Sequence, residues 1–187
     1  MTEIQAKIAA ALSPKRYAHV LRVVDYATHL AKRYDVDVEQ ARLAALIHDY
    51  AKERSDADFL AVIAAKHLDA DLVNWGNNIW HGVVGAEMMR DELGVTDEAV
   101  LQAVREHTTG AGETMTLLSQ VLFMADYLEA GRDFPGVDTA RELTDQNLQA
   151  GVKYQITHTL RYLLQKEVPI HPLALTTYNY WGTRNWE

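Results

Sequence analysis

Six side chains in this 187-residue sequence are of types that can ligate a divalent metal and stand on or at the ends of apolar, helix-like runs: His19, His48, Asp49, His81, His107 and Asp126. Imidazole nitrogens and carboxylate oxygens are the donors that divalent cations such as iron, manganese and zinc take from proteins. The chain has no cysteine, so disulfides and thiolate ligands are excluded together, and any metal must be held by nitrogen and oxygen. His48 and Asp49 close an apolar run, Ala44-Ala45-Leu46-Ile47. Adjacent residues on a helix diverge by about 100°, so both can converge on one centre only at the rim of a pocket, where the carboxylate could bridge two metals. Asp126 follows Leu122, Phe123, Met124 and Ala125. A carboxylate in such a setting costs several kcal/mol unless a cation answers it. That cation is either a metal or a guanidinium, with Arg16 and Arg132 the candidates for the ion pair.

Two further cations stand in phase with these residues. Lys52 falls four residues after His48 and three after Asp49, and Arg16 lies three before His19. On helices these spacings place each cation on the ligand-bearing face, where it can meet phosphate oxygens. Taken residue by residue, two histidines have competing readings. His81 fits a helix N-terminal residue satisfied by its backbone as well as a ligand, and His107 fits a residue that complements a helix C-terminal dipole. His29, His67, His158 and His171 have no histidine or carboxylate company at ligand spacing and read as surface or packing residues. The tail aromatics Tyr178, Tyr180, Trp181 and Trp186 read as a cover for the core, with stacking on a base as the alternative.

The elements that must position these residues read as helices. Apolar residues recur at three- and four-residue spacing, and no sustained alternation is flanked by hairpin turns. Ser13-Pro14 opens a helix running through Leu30 and Ala31, and Asp37 with Gln40 forms a capping-box pattern before a helix that ends in His48 to Lys52. Ser55 with Asp58 starts a third helix to about His67. A fourth spans Trp80 to Leu93, with His81 at its beginning. Thr96 caps a fifth, which runs into His107, and Met115 to Glu129 gives the most apolar helix. Two more follow, near Asp138 to Gln149 and Val152 to Glu167. With 48% hydrophobic content, the expectation is an all-α bundle forming one domain over 1–187. The formal net charge of -8 disfavours long nucleic acid as a partner. No basic leader and no run of about 18 apolar residues is present, which predicts a cytoplasmic protein that does not enter a membrane.

The succession His19, His48-Asp49, His81, His107, Asp126 is similar to the H...HD...H...H...D pattern of HD-domain phosphohydrolases in its two-metal form. The surrounding segments resemble more narrowly the YqeK family of symmetrical bis(5'-nucleosyl)-tetraphosphatases. They are Arg16-Tyr-Ala-His19, Ala44-Ala-Leu-Ile-His48-Asp-Tyr-Ala-Lys52, Trp80-His81-Gly82, Glu106-His-Thr-Thr-Gly110 and Phe123-Met-Ala-Asp-Tyr-Leu-Glu129, followed by Gly131-Arg-Asp-Phe-Pro-Gly-Val137. The resemblance runs from about Arg16 to Tyr180. Ala130, Thr116 and Ser119 stand where that family has proline, serine and often aspartate.

The resemblance implies a single HD-domain helical bundle. It also implies hydrolysis of diadenosine tetraphosphate to two ADP by a metal-bridged hydroxide, and a di-iron cofactor with manganese, cobalt or nickel as alternatives. By the same analogy His19, His48 and Asp126 hold one metal, His81 and His107 the other, and Asp49 bridges them. Arg16 and Lys52 act with Asp49 in catalysis. Arg16, Lys52, Thr108, Thr109, Gly110 and Arg132 contact the small-molecule dinucleoside polyphosphate, while Glu129 and Asp133 orient Arg132 or a ligand. A homodimer is compatible with these readings. The alternatives are another HD-domain nucleotide phosphohydrolase and a non-catalytic nucleotide-binding HD module.

Overall fold

The chain begins with a short helix, α1 (Thr2–Ala11), before the one that carries His19. The computed structural model describes residues 2–186, and no strand occurs among them. Ser13 caps α2 (Pro14–Arg33) by accepting from the Arg16 amide, with Pro14 in the first turn. Along one stripe α2 buries His19, Val20, Val23, Ala27, Leu30 and Ala31, so the ligand candidate sits in line with the core contacts. Asp37 caps α3 (Val38–Ile47). The expected capping box is only half made, because the Gln40 side chain turns away to donate to Asp97 at 2.8 Å.

Helix α3 stops at Ile47, and the chain continues as tight turns in which Tyr50 donates to Ile47 and Lys52 to Asp49 at 2.9 Å. The single helical face expected from His48 to Lys52 is therefore not formed, yet the turns keep Lys52 close to Asp49. Helix α4 (Asp56–Ala65) opens with the complete Ser55/Asp58 capping box.

The stretch expected as one helix over 80–93 is two, α5 (Asn77–Val83) and α6 (Gly85–Leu93). His81 therefore lies inside α5 rather than at a helix start. Asp97, not Thr96, caps α7 (Glu98–Glu106), accepting from the amides of Ala99 and Val100. Helices α8 (Leu117–Leu128), α9 (Val137–Gln146), α10 (Leu148–Gln165) and α11 (Pro172–Thr177) complete the bundle, and a π-helical turn spans Tyr178–Gly182. The break between α9 and α10 falls at Asn147, whose side chain accepts from Ala150 N–H.

Helix α8 is the axis of the core. Nine of its residues are buried, from Leu118 through Leu128, because α2, α3, α7 and α10 all pack on it. Small residues on the facing helices, Ala27, Ala41, Ala44 and Ala45, are fully or almost fully buried and let the backbones approach closely. A second apolar cluster of Phe59, Ile63, Leu72, Trp80, Val84 and Met88 fixes α4 to α6 beside the main core. No helix among the described residues is long and apolar enough to cross a membrane.

The C-terminal segment fastens the loop after His107. The Thr177 hydroxyl lies 2.8 Å from the Thr109 carbonyl oxygen and accepts from Gly112 N–H at 3.0 Å, and Trp181 Nε1 donates to the Gly112 carbonyl at 2.6 Å. Gly110 has φ 66°, and a Cβ there would stand 2.5 Å from the Thr177 methyl, so glycine is required at this turn. Replacing Thr177 by Val preserves shape but orphans the Gly112 N–H and removes the hydroxyl proton shared between the Thr109 and Leu173 carbonyl oxygens. The expected cost is about 1–3 kcal/mol, read as a Tm several degrees lower; an unchanged Tm would show that the tie contributes nothing.

Candidate metal centre

Each predicted donor is delivered by a different local structure. His19 comes from the second turn of α2. His48 is the C-terminal cap of α3 and His107 that of α7. Asp49 follows His48, His81 lies in α5, and Asp126 sits near the end of α8. Three helix C-termini thus point at one spot, and their dipoles favour positive charge there.

All six side chains meet. Donor atoms of His19, His48 and Asp126 lie within 4.8 Å of one another, as do those of Asp49, His81 and His107. Asp49 joins the two groups: Oδ2 is 3.5 Å from His48 Nε2 and 3.7 Å from His19 Nε2, whereas Oδ1 is 3.6 Å from His81 Nε2.

The other nitrogen of every ring is already committed. His48 Nδ1 lies 2.7 Å from the Ala45 carbonyl oxygen, His81 Nδ1 2.7 Å from that of Asn77 and His107 Nδ1 2.6 Å from that of Val104. His19 Nδ1 is 3.2 Å from Glu129 Oε1. These partners only accept, so each Nδ1 carries the proton and each Nε2 lone pair faces the centre, the outer-sphere pattern of metal-binding histidines. Nε2 of His48 is buried with no hydrogen-bond partner among the described residues, and that of His19 is buried 3.1 Å from Asp126 Oδ1. Nε2 of His81 and of His107 face each other at 3.0 Å. Two lone pairs at that distance repel unless a cation lies between or beside them. The donor set therefore fits a divalent cation pair.

Charge agrees with this geometry. Burial, together with His107 and Lys52, pushes His81 down to about 3. Burial and His48 push His107 down to about 4, so both rings are neutral at pH 7. His48 moves the other way, burial being outweighed by the Asp49 carboxylate. Burial opposes ionisation of Asp49, but His48, His81 and His107 hold it well below the usual carboxylate range. Arg16 Nη1 donates to Asp49 Oδ2 at 2.9 Å, and Arg132 Nη2 to Asp126 Oδ1 at 2.8 Å. Of the two ion pairs open to Asp126 from sequence, the one with Arg132 forms.

Lys52 Nζ is 3.3 Å from His81 Nδ1 and 3.4 Å from Nε2, and burial lowers its pKa. Thr108 Oγ1 is 3.3 Å from Nε2 of both His81 and His107. Two clefts open on the centre. The larger, about 690 Å³, is walled by Arg16, Lys52, Thr108, Thr109 and Arg132 on the centre's side and by Trp75, Tyr162 and His171 farther out. The smaller, about 320 Å³, reaches His19, Arg22 and Glu129. Gly110, expected among the phosphate contacts, is absent from both. It is buried against Thr177 and Met115, and its N–H donates to the Glu106 carbonyl at 2.8 Å.

The HD-domain family model matches residues 16–131. The chain is 40% identical to a symmetrical bis(5'-nucleosyl)-tetraphosphatase of Halalkalibacterium halodurans, over 90% of this chain and 89% of that one. It is 38% identical to the Bacillus subtilis protein of the same description, over 95% of each. The chain belongs to the HD-domain family, in the YqeK-type branch of these relatives. A crystal structure from Clostridium acetobutylicum, described as a predicted HD superfamily hydrolase involved in NAD metabolism, superposes with a TM-score of 0.92 at 32% identity, covering 98% of this chain and 97% of that one.

Several residues of this HD-domain protein carry no signal in the sequence pattern. Arg22 donates to Glu129 at 2.5 Å, and with the Gly131 N–H and His19 it outweighs burial to hold Glu129 at about 2. Glu129 thus fixes the His19 ring rather than serving Arg132 alone, while Asp133 is exposed. An acidic residue three after Asp126, behind Tyr127 and Leu128, hints at burial, but its partner on α2 is 107 residues away. Trp75 and His171 meet at 4.6 Å between ring centroids, so His171 is a cleft residue and not only a packing one. Trp181 stacks on Trp186 and meets Tyr180 edge-on, forming the expected core cover.

Two outcomes follow for the metal-free protein and its loading. Because His81 and His107 bind fewer protons folded than unfolded, stability falls as pH drops below about 6.5 toward 4. The raised His48 opposes this, one ring against two, so Tm should fall between pH 6.5 and 4.5 and fall less in His81→Gln. A Tm flat across that window would contradict buried neutral rings. Glu129→Gln should weaken metal retention about 10–100-fold, measured by metal analysis after dialysis, with helicity retained; full retention would remove Glu129 from any part in orienting His19.

Proposed function

We propose that this chain hydrolyses dinucleoside tetraphosphates, diadenosine tetraphosphate foremost, symmetrically to two nucleoside diphosphates. The observation that supports it best is a pair of histidine–carboxylate triads sharing Asp49 at the base of a cleft lined by cations and aromatic rings. The curated relatives carry that activity in their names, and the donor set has no gap of the kind a binding-only module would tolerate.

His19, His48 and Asp126 would hold one cation and His81 with His107 the other, with Asp49 between them. Iron is the metal we favour, and manganese, cobalt and nickel suit the same nitrogen and oxygen donors. When bound, such a pair supplies Lewis-acid charge neutralisation and lowers the pKa of water. The chain's own residues do the rest. Arg16 and Arg132 reach phosphate oxygens on either side of the reacting phosphorus, where charge grows in the transition state. Lys52 and Thr108 face the same point from the other wall, and Thr109 lies behind. The low Lys52 pKa follows from burial, so a bound phosphate keeps its ammonium charged.

The reading carries a cytoplasmic setting, in keeping with a chain free of cysteine, and is compatible with a homodimer. Incubating the iron- or manganese-loaded protein with diadenosine tetraphosphate should give ADP alone; ATP plus AMP would rule out the symmetrical cut. Asp49→Ala should lose both metal loading and turnover, and a variant that keeps either would refute the bridging role.

A further inference from the structure

Among the described residues, Arg16 and Arg132 alone line both clefts. They stand on Asp49 and Asp126 and divide the space over the donors into two unlike halves. The larger half has what a nucleoside needs: the Trp75–His171 ring pair, the half-exposed Tyr162, and aliphatic wall from Leu163 and Val168. Gln155 and Thr159, one turn apart on α10, add polar groups to that wall. Gln155 is 7% exposed and its Oε1 has no hydrogen-bond partner among the described residues. A buried amide left unmatched in the wall of an apolar cleft is the kind of group that a ligand satisfies.

The smaller half has none of this. Apart from the His19 imidazole no ring lines it, and no aliphatic side chain does. Lys15, Arg16, Arg22 and Arg132 line it with Glu53 and Glu129: Arg22 is paired with Glu129, Arg16 and Arg132 reach it from Asp49 and Asp126, and Lys15 has no carboxylate partner among the described residues. Such a surface suits phosphate and offers a base no aromatic platform beyond the buried His19 ring.

We propose that the site reads only one nucleoside of its substrate, in the Trp75–His171–Tyr162 cleft. The other half is held through its phosphates, by Lys15, Arg16 and Arg132, with its nucleoside left in solvent. This inference rests on the hydrolase reading above. It makes the second nucleoside dispensable: adenosine 5'-tetraphosphate is cut at the same bond. Water's oxygen joins one phosphorus, the bridge between the second and third phosphorus breaks, and the products are ADP, pyrophosphate and a proton. Trp75 and His171 determine specificity, and Lys15 positions the departing half.

The test compares both compounds on the manganese-loaded protein. Adenosine tetraphosphate should be cleaved to equimolar ADP and pyrophosphate, with kcat/KM within about tenfold of that for diadenosine tetraphosphate. Trp75→Ala should raise KM for both about tenfold or more, with a smaller change in kcat. Lys15→Ala should raise KM for both while leaving ADP affinity unchanged by calorimetry. Titration of ADP should fill one tight site per chain. Cleavage of the dinucleotide without the mononucleotide, two equal ADP sites, or a Trp75→Ala protein with unaltered KM would each overturn this inference and leave the hydrolase intact. If neither compound is cleaved, the hydrolase reading falls with it.

Discussion

The Asp49 carboxylate is buried to 3% exposure among His19, His48 and His81, and much of the remaining structure follows from satisfying it. A lone charge at that depth would destabilise the fold by several kcal/mol. Arg16 answers it with a 2.9 Å hydrogen bond to Oδ2, and the imidazole Nε2 lone pairs that converge on its two oxygens call for a cation between them. Only helices arriving from separate parts of the chain can supply these groups, so the core that packs α2, α3, α7 and α8 also sets the distances at the centre.

Local structure does more of the aiming than the length of the contact list implies. His48 and His107 each lie 2.6–2.7 Å from the carbonyl oxygen three residues back. Both carbonyls belong to the last turn of a helix, where backbone acceptors lack helical partners and remain free to take a side-chain proton. The end of the helix therefore chooses the tautomer and orients the ring. His19, inside a helix, has no such acceptor and borrows Glu129 from the end of α8, with Arg22 holding Glu129 in turn.

Specificity and chemistry separate along the same geometry. Donors sit at the floor, cations stand at the dividing line, and rings occupy the outer wall contributed by the segment around Trp75, α10 and the residues before α11. Apart from α10, that outer wall is built from irregular chain, including a 3-10 turn at 70–74 and the stretch 166–171. The floor rests on the largely buried helix α8. A rigid base with a more irregular rim lets the substrate-facing surface vary without disturbing the metal geometry.

The six residues that meet at the centre, the all-α class and most helix spans were legible in the amino-acid order. Apolar periodicity fixes where helices run, and an acidic or histidine residue closing an apolar run announces a group that the core cannot accept uncompensated. The misread boundaries have local causes. Asp97 competes with Thr96 as a cap, the chain breaks at Val84 between α5 and α6, and α3 ends immediately before His48 and Asp49. What the chain order could not give is which groups meet across it. Arg22 with Glu129, Trp75 with His171, and the turning of Gly110 away from the cleft are contacts between residues far apart in sequence. Periodicity encodes which face of a helix is buried but carries no record of the neighbour that buries it, so those pairings were decided only when the helices packed.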